Sequence, residues 1–287
     1  MSTTTNKACL KKVPREAVFV SEPNPYMFGN DDNPQPGTKP GWTNWNWLRS
    51  RFHFAFAEWR SPITNFGVLR VLNDDLVQPD RGFGTHGHAD MEIATIVLEG
   101  ELTHKDSMGT QETLKRGSVQ FMSAGYGVRH SEFNLSKNDP LRFLQLWILP
   151  RTPGLIPQYG GYDGSTAEAK KLRTNQWAHL VTWNKVKQDI PIKLDQDVNI
   201  YLAETEPGTE LEFEVHPGRQ AYVVNAEGKT ELTAASESSG FKEVVQMEHG
   251  DAAEAYGDVK LKFKGETAGL WVVIEMKWTG GKSKVPA

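Results

Sequence analysis

Two short segments concentrate the residues able to hold a metal. In GFGTHGHADMEIATIVLEG, residues 82–100, His86 and His88 stand two apart. In SAGYGVRHSEFN, residues 123–134, His130 and Glu132 repeat that spacing. Residues i and i+2 of a strand face one side, so each pair presents both of its groups to one face. If both segments are inward-facing strands of one barrel, three imidazoles and one carboxylate converge. That mixed set suits one divalent transition metal and leaves two positions open on an octahedral ion. Iron, nickel, copper and zinc accept imidazole, and manganese and cobalt also enter as candidates. A lone histidine is usually a surface or satisfied core residue, but two such pairs beside glycine-rich turns are hard to attribute to chance. Glu92, four residues after His88, shares its strand parity and rivals Glu132 as the carboxylate. His53 and His104 are weaker candidates. His104, in ELTHKDSMG, starts a hairpin turn and is expected to bond locally. His179, His216 and His249 fall outside the cluster and are read as non-ligands.

The elements that must position these groups read as strands. FGVLRVL (66–72), MEIATIVLEG (91–100), VQFMSAG (119–125) and LRFLQLWIL (141–149) are apolar and too short for typical helices. Gly, Asn and Asp punctuate them every 8 to 12 residues, the pattern of an all-β sandwich or barrel. The Pro/Gly cluster PRTPGLIPQYGGYDG, 150–165, reads as a crossover to a second β-rich half. Its strands are 198–206, 210–216, 220–228, 229–234 and 269–278; only short stretches near 166–185 look helical. No strong internal repeat relates the halves. The expected organisation is an irregular extension over 1–44, a metal-binding domain over 45–160 and a second β domain over 161–287. Deleting residues 1–40 is expected to leave the metal site formed.

Composition excludes several classes. Lys plus Arg number 32 against 36 Asp plus Glu, a net charge of −4 with pI near 6.1, so no basic excess points to direct nucleic-acid binding. The single Cys9 rules out an intramolecular disulfide and a cysteine-based zinc site. No apolar run has the length of a spanning helix, so no membrane association is expected. The first twenty residues lack the apolar centre of a secretory signal. Lys7, Lys11, Lys12 and Arg15 precede the first acid, Glu16, but a surface tail is expected over a transit peptide. The expected location is intracellular, cytoplasmic or nuclear.

These residues resemble a known family. GTHGHADMEIATIVLEG is similar to the first cupin motif. GSVQFMSAGYGVRHSEFN is similar to the second, with Gly117, Gly125, His130 and Asn134 in order. More narrowly, FHFAFAEW (52–59), LRVLNDDLVQPDRGFGTHGHADMEI (69–93), EGELTHKDSMG (99–109), the 123–134 run and LQLWILP (144–150) resemble the pirin family. Ser123 stands where the general cupin motif has Pro, and the spacing to the histidine is longer; both agree with the pirin version. The resemblance implies two cupin-type β-barrels side by side. It implies metal ligands at His86, His88, His130 and Glu132, with Glu92 not a ligand, and Fe(II) as the usual metal. The second lobe has His216 alone and no H-x-H pair, so it is expected to bind no metal.

Three functions follow from the resemblance. The first is a quercetin 2,3-dioxygenase-like enzyme that opens a flavonol or similar enol aromatic with O2 and releases carbon monoxide, Glu132 doubling as the base. The partners would then be a small aromatic substrate and O2. Phe56, Phe83, Phe121, Met122 and Phe133 are candidates for its apolar pocket wall, although each taken singly reads as core. The second is a non-enzymatic, redox-sensing iron protein that acts on a protein partner as a transcription cofactor. It would favour a basic patch at the metal mouth, for which Arg49, Arg51, Arg70 and Arg81 are scattered candidates. The third, a storage or defence protein without chemistry, is at odds with four intact ligands.

Overall fold

A computed structural model of the chain describes residues 7–31 and 47–280. The chain forms two all-β units, each considered over its described residues. One is built from Phe19–Thr64 and Leu69–Thr166, the other from Met1–Val18, Asn65–Val68 and Ala167–Ala287. Among the described residues no helix is long and apolar enough to cross a membrane.

The N-terminal unit pairs a seven-stranded with a four-stranded sheet. The larger runs Gln158–Tyr162, Val119–Ser123, Glu92–Glu99, Leu141–Ile148, Leu69–Val77, Leu48–Phe52 and Phe19–Ser21. The smaller runs Arg81–His88, Val128–Asn134, Glu101–Asp106 and Gln111–Lys115. The strand Glu92–Glu99, EIATIVLE, is buried on both faces up to its last residue, as a central strand must be. Val77, Val97, Leu141 and Phe143 from the larger sheet pack against Leu102 and Leu114 from the smaller, with Trp47 and Leu48 closing the cluster. Burial of this apolar surface, about 25 cal/mol per Å², is the main force holding the sheets face to face.

The C-terminal unit repeats the plan. Its larger sheet runs Cys9–Val13, Asp251–Tyr256, Arg219–Glu227, Gly269–Lys277, Val198–Thr205, Ala178–Trp183 and Ile192–Leu194. Its smaller sheet runs Glu210–Val215, Val259–Gly265, Thr230–Ser236 and Phe241–Met247. In VKLKFKG, Val259, Leu261 and Phe263 face the core while Lys260 and Lys262 pair outside with Glu212 and Glu210 across the strand at 2.9 and 2.8 Å.

Two expectations change and a third is met in part. The extension over 1–44 is not wholly irregular: Cys9–Val13 and Phe19–Ser21 are edge strands, one in each unit. Part of that expectation, and the 44/45 boundary, fall on 32–46, outside the described residues. The 150–165 crossover contains the strand Gln158–Tyr162, which pairs with Val119–Ser123. Edge strands bond to one neighbour only and need little apolar content, so their sequences read as loop. Within 166–185 only Ala167–Arg173 is helical, and Ala178–Trp183 is a strand.

Candidate metal centre

The four-stranded sheet carries the site. His86 stands directly opposite His130, and His88 opposite Val128. Opposed residues of antiparallel strands share a face, so the imidazoles of two strands meet. The ring centres of His86, His88 and His130 lie 4.5 to 4.9 Å apart. His130 Nε2 is 3.1 Å from His86 Nε2, and Gly84 O lies 2.8 Å from His86 Nδ1, which fixes that ring from behind.

The pairing with Arg81–His88 slips between His130 and Glu132, so that Glu132 stands opposite Phe83. Such a bulge re-aims the side chain beyond it. The slip depends on Gly82, whose backbone lies against the chain at Glu132 and Phe133; a Cβ there would overlap Glu132 O and sit 2.6 Å from Phe133 Cα. Asn30 holds the same point, donating from Nδ2 to Gly82 O at 2.7 Å and accepting from Gly82 N at 2.9 Å.

Glu132 is buried and held by a chain of neutral groups. Thr95 Oγ1 is 2.8 Å from Gln145 Oε1 and 3.3 Å from Glu132 Oε1. Its one proton goes to the shorter contact. This turns the Gln145 amide so that Nε2 donates to Glu132 Oε2 at 2.9 Å.

The site residues fall into two overlapping groups whose ligand atoms lie within 4.8 Å of one another: His86, His88 and His130; and His104, His130 and Glu132. His104, a weaker candidate from the sequence, enters the second group. It does bond locally, its Nε2 lying 3.2 Å from Asp106 Oδ2, but it is fully buried opposite Glu132 rather than at a hairpin turn. Gln120 Nε2 meets its Nδ1 at 3.0 Å and Tyr159 stacks on its ring at 4.8 Å. A signal was present, since LTHKD alternates apolar and polar residues and so puts Leu102, His104 and Asp106 on the buried face. Glu92 is in neither group. The strand ends at His88, Asp90 turns with φ 48°, and Glu92 begins a strand of the other sheet, so parity does not carry across.

Two of the imidazoles, those of His88 and His130, are held neutral. Burial, then His130 and His86, drives the pKa of His88 down to about 3. Burial, then His86 and His104, does the same to His130. His130 Nδ1 is buried without a hydrogen-bond partner. Crowded imidazoles whose ligand atoms lie within 4.8 Å of one another fit a cation held by nitrogen. His53, also buried and lowered to about 4, pairs instead on Leu69–Val77, where its N–H meets Leu72 O at 3.0 Å.

His86, His88 and Glu132 line a cavity of about 270 Å³ whose other walls include Leu48, Phe52, Phe56, Phe83 and Trp147. Phe52, Phe56, Trp147 and His88 follow one another edge to face at 5.2, 5.1 and 4.8 Å, which fixes the His88 ring. Of the apolar candidates, Phe56 and Phe83 line the cavity, whereas Phe121 and Met122 are buried elsewhere in the sheet. Ser21, Pro23 and Phe28 also line it, so residues before 40 contribute to the cavity wall. The scattered arginines are engaged locally. Arg49 pairs with Glu22 at 2.6 Å, Arg70 bonds to Ala55 O and Thr64 O, and Arg81 bonds to Asp31 O and Asp80 O.

Residues 37–148 match the family Pirin, and residues 184–276 match the Quercetinase C-terminal cupin domain. A protein of Escherichia coli K12 named quercetin 2,3-dioxygenase is 41% identical over 162 residues, 56% of this chain and 66% of its own length. A pirin-like protein of Caulobacter vibrioides is 34% identical over 215 residues, 73% of this chain and 90% of its own. The fold is that of the bacterial pirin YhhW of Escherichia coli, solved with nickel(II), with a TM-score of 0.73 at 24% identity over 94% of this chain and 99% of that one. Two matched domains, relatives aligned along most of their length and the shared two-lobed β architecture lead to one conclusion: this chain belongs to the pirin family.

Proposed function

We propose that the chain is a metal-dependent dioxygenase that opens the ring of quercetin or a similar enol-bearing aromatic with O2. The observation that carries this reading is that the histidine and glutamate cluster faces an apolar, aromatic-walled cavity. Ligand sites are mostly apolar with a few convergent polar groups, commonly about 300–1,000 Å³, and this cavity lies at the small end. The names of the relatives support the same reaction class.

The metal would be held by His86, His88, His130 and Glu132, and Fe(II) is the ion proposed; the nickel of the Escherichia coli relative makes nickel the first alternative. When bound, it would supply Lewis-acid chemistry, making the enol more acidic and ordering the two reactants. The chain's own part is then positional. The Phe52, Phe56 and Trp147 series holds a flat ring and excludes water. Glu132 Oε1, left with only the long Thr95 contact, accepts the enol proton, while Gln145 keeps Oε2 oriented. Arg49, Arg70 and Arg81, proposed for the basic patch of the redox-sensing alternative, bond locally instead.

The test is oxygen uptake by anaerobically iron-loaded protein with quercetin, beside Glu132→Ala. Uptake that needs both iron and Glu132 is expected. Uptake equal to that of the variant, with iron bound in both, would refute the assignment.

A further inference from the structure

The larger sheet of the N-terminal unit carries a second polar feature on its cavity face. Ser21 stands opposite Ser50, and Ser50 opposite Asp75. Opposed residues share a face, and all three line the cavity. Two residues along, Asn73 stands opposite Gln145 and Gln145 opposite Thr95, the row that holds Glu132. Asp75 is thus on the same wall as the Glu132 supports, one row away, and outside their hydrogen-bond chain.

Its surroundings differ from those of its neighbour on the strand. Asp74 points to the other face, where Arg142 donates from Nε and Nη2 at 2.8 and 2.7 Å. Burial raises the Asp74 pKa, but that guanidinium outweighs it and holds the carboxyl below its usual range. Among the described residues no cation acts on Asp75. Burial first, and then the charges of Asp74 and Glu132, lift its pKa to about 8 against the pull of Ser50. Adjacent carboxyls held in opposite protonation states mark different jobs. Ser50 Oγ donates to Asp75 Oδ1. With Ser50 bonded at Oδ1, Oδ2 is the oxygen left to meet a ligand in the cavity that Asp75 lines. A carboxyl that keeps its proton can donate one hydrogen bond, and a ligand oxygen in the cavity can accept it.

We infer that Asp75, braced by Ser50, is a specificity-determining residue that donates a hydrogen bond from Oδ2 to a ligand oxygen remote from the enol group held at the metal centre. The inference rests on the flavonol reading above and narrows it. The favoured ligand is an aromatic enol that carries a further oxygen function, and a bare enol chelator is disfavoured.

Quercetin and 3-hydroxyflavone separate the cases, since both carry the 3-hydroxy-4-keto group and only quercetin has further ring hydroxyls. Each is titrated anaerobically into the full chain loaded with zinc, which prevents turnover, with zinc content checked in every variant. Wild type is expected to bind quercetin about tenfold more tightly, one hydrogen bond's worth. Asp75→Asn keeps an N–H donor and retains most of the preference. Asp75→Leu removes the donor and brings the two affinities within about twofold, leaving 3-hydroxyflavone unchanged. If Asp75→Leu does not fold, Asp75→Ala reads the same ratio without added bulk. A preference that survives in the Leu or Ala variant overturns the inference, as does an equal loss for both ligands, which would show a structural role. Wild type binding both ligands without preference overturns the inference and leaves the flavonol reading standing. Wild type binding neither overturns the flavonol reading, and the inference falls with it.

Discussion

Asp75→Asn should make the metal-free protein more stable, by an amount that grows with pH. In the folded chain Asp75 keeps its proton up to about pH 8, against 3.8 for a free aspartate. Between those values the folded state binds a proton that the unfolded chain has released. Stability therefore falls as pH rises through this window, with a slope of up to one proton, about 1.4 kcal/mol per pH unit. Asparagine has the same shape, accepts from Ser50 and does not titrate. Near pH 4 the two proteins should agree within about 1 kcal/mol, and at pH 7, three units up the window, the variant should lead by up to about 4 kcal/mol. The chain has two units and need not unfold in one step, so the assay is hydrogen exchange of the Leu69–Val77 amides in chelator-treated protein. Comparison with the variant cancels the other titrating groups. A difference that stays flat from about pH 4.5 to 8, or that turns in favour of wild type as pH rises, would show Asp75 ionised in the fold and refute the reasoning.

The acid side has the opposite sign. His53, His88 and His130 are neutral in the fold, with pKa values of about 4, 3 and 3, so metal-free wild type should lose stability as pH falls from about 6.5, as urea unfolding at stepped pH would record. Gln145→Leu removes the amide that orients Glu132 and should weaken metal binding about 10- to 100-fold in competition with a chelator, leaving stoichiometry at saturation unchanged. His104→Ala should retain one equivalent of metal by elemental analysis; loss of the metal would put His104 in the ligand set in place of an expected residue. Gly82→Ala forces the Arg81–His88 strand away from Val128–Asn134 and should cost about 1–3 kcal/mol in thermal unfolding, with reduced metal content.

The sequence alone carried whatever depends on neighbours along the chain. Strand parity put His86 with His88 and His130 with Glu132, and apolar runs located the central strands. Parity failed where a strand ended, and so promoted Glu92, because a turn at Asp90 resets the direction of every later side chain. Apolar content likewise failed at sheet edges, where Cys9–Val13 and Gln158–Tyr162 owe their conformation to a partner strand rather than to their own composition. Only the tertiary structure decided which strands lie side by side. Pairing Glu101–Asp106 with Val128–Asn134 brought His104 to Glu132, and pairing Leu48–Phe52 with Leu69–Val77 set Ser50 on Asp75. A polar residue inside an apolar run, such as Asp75 or Gln145, announces that burial must be compensated. Whether the compensation is an arginine, an amide or a retained proton depends on residues tens of positions away, and their arrival is a matter of register.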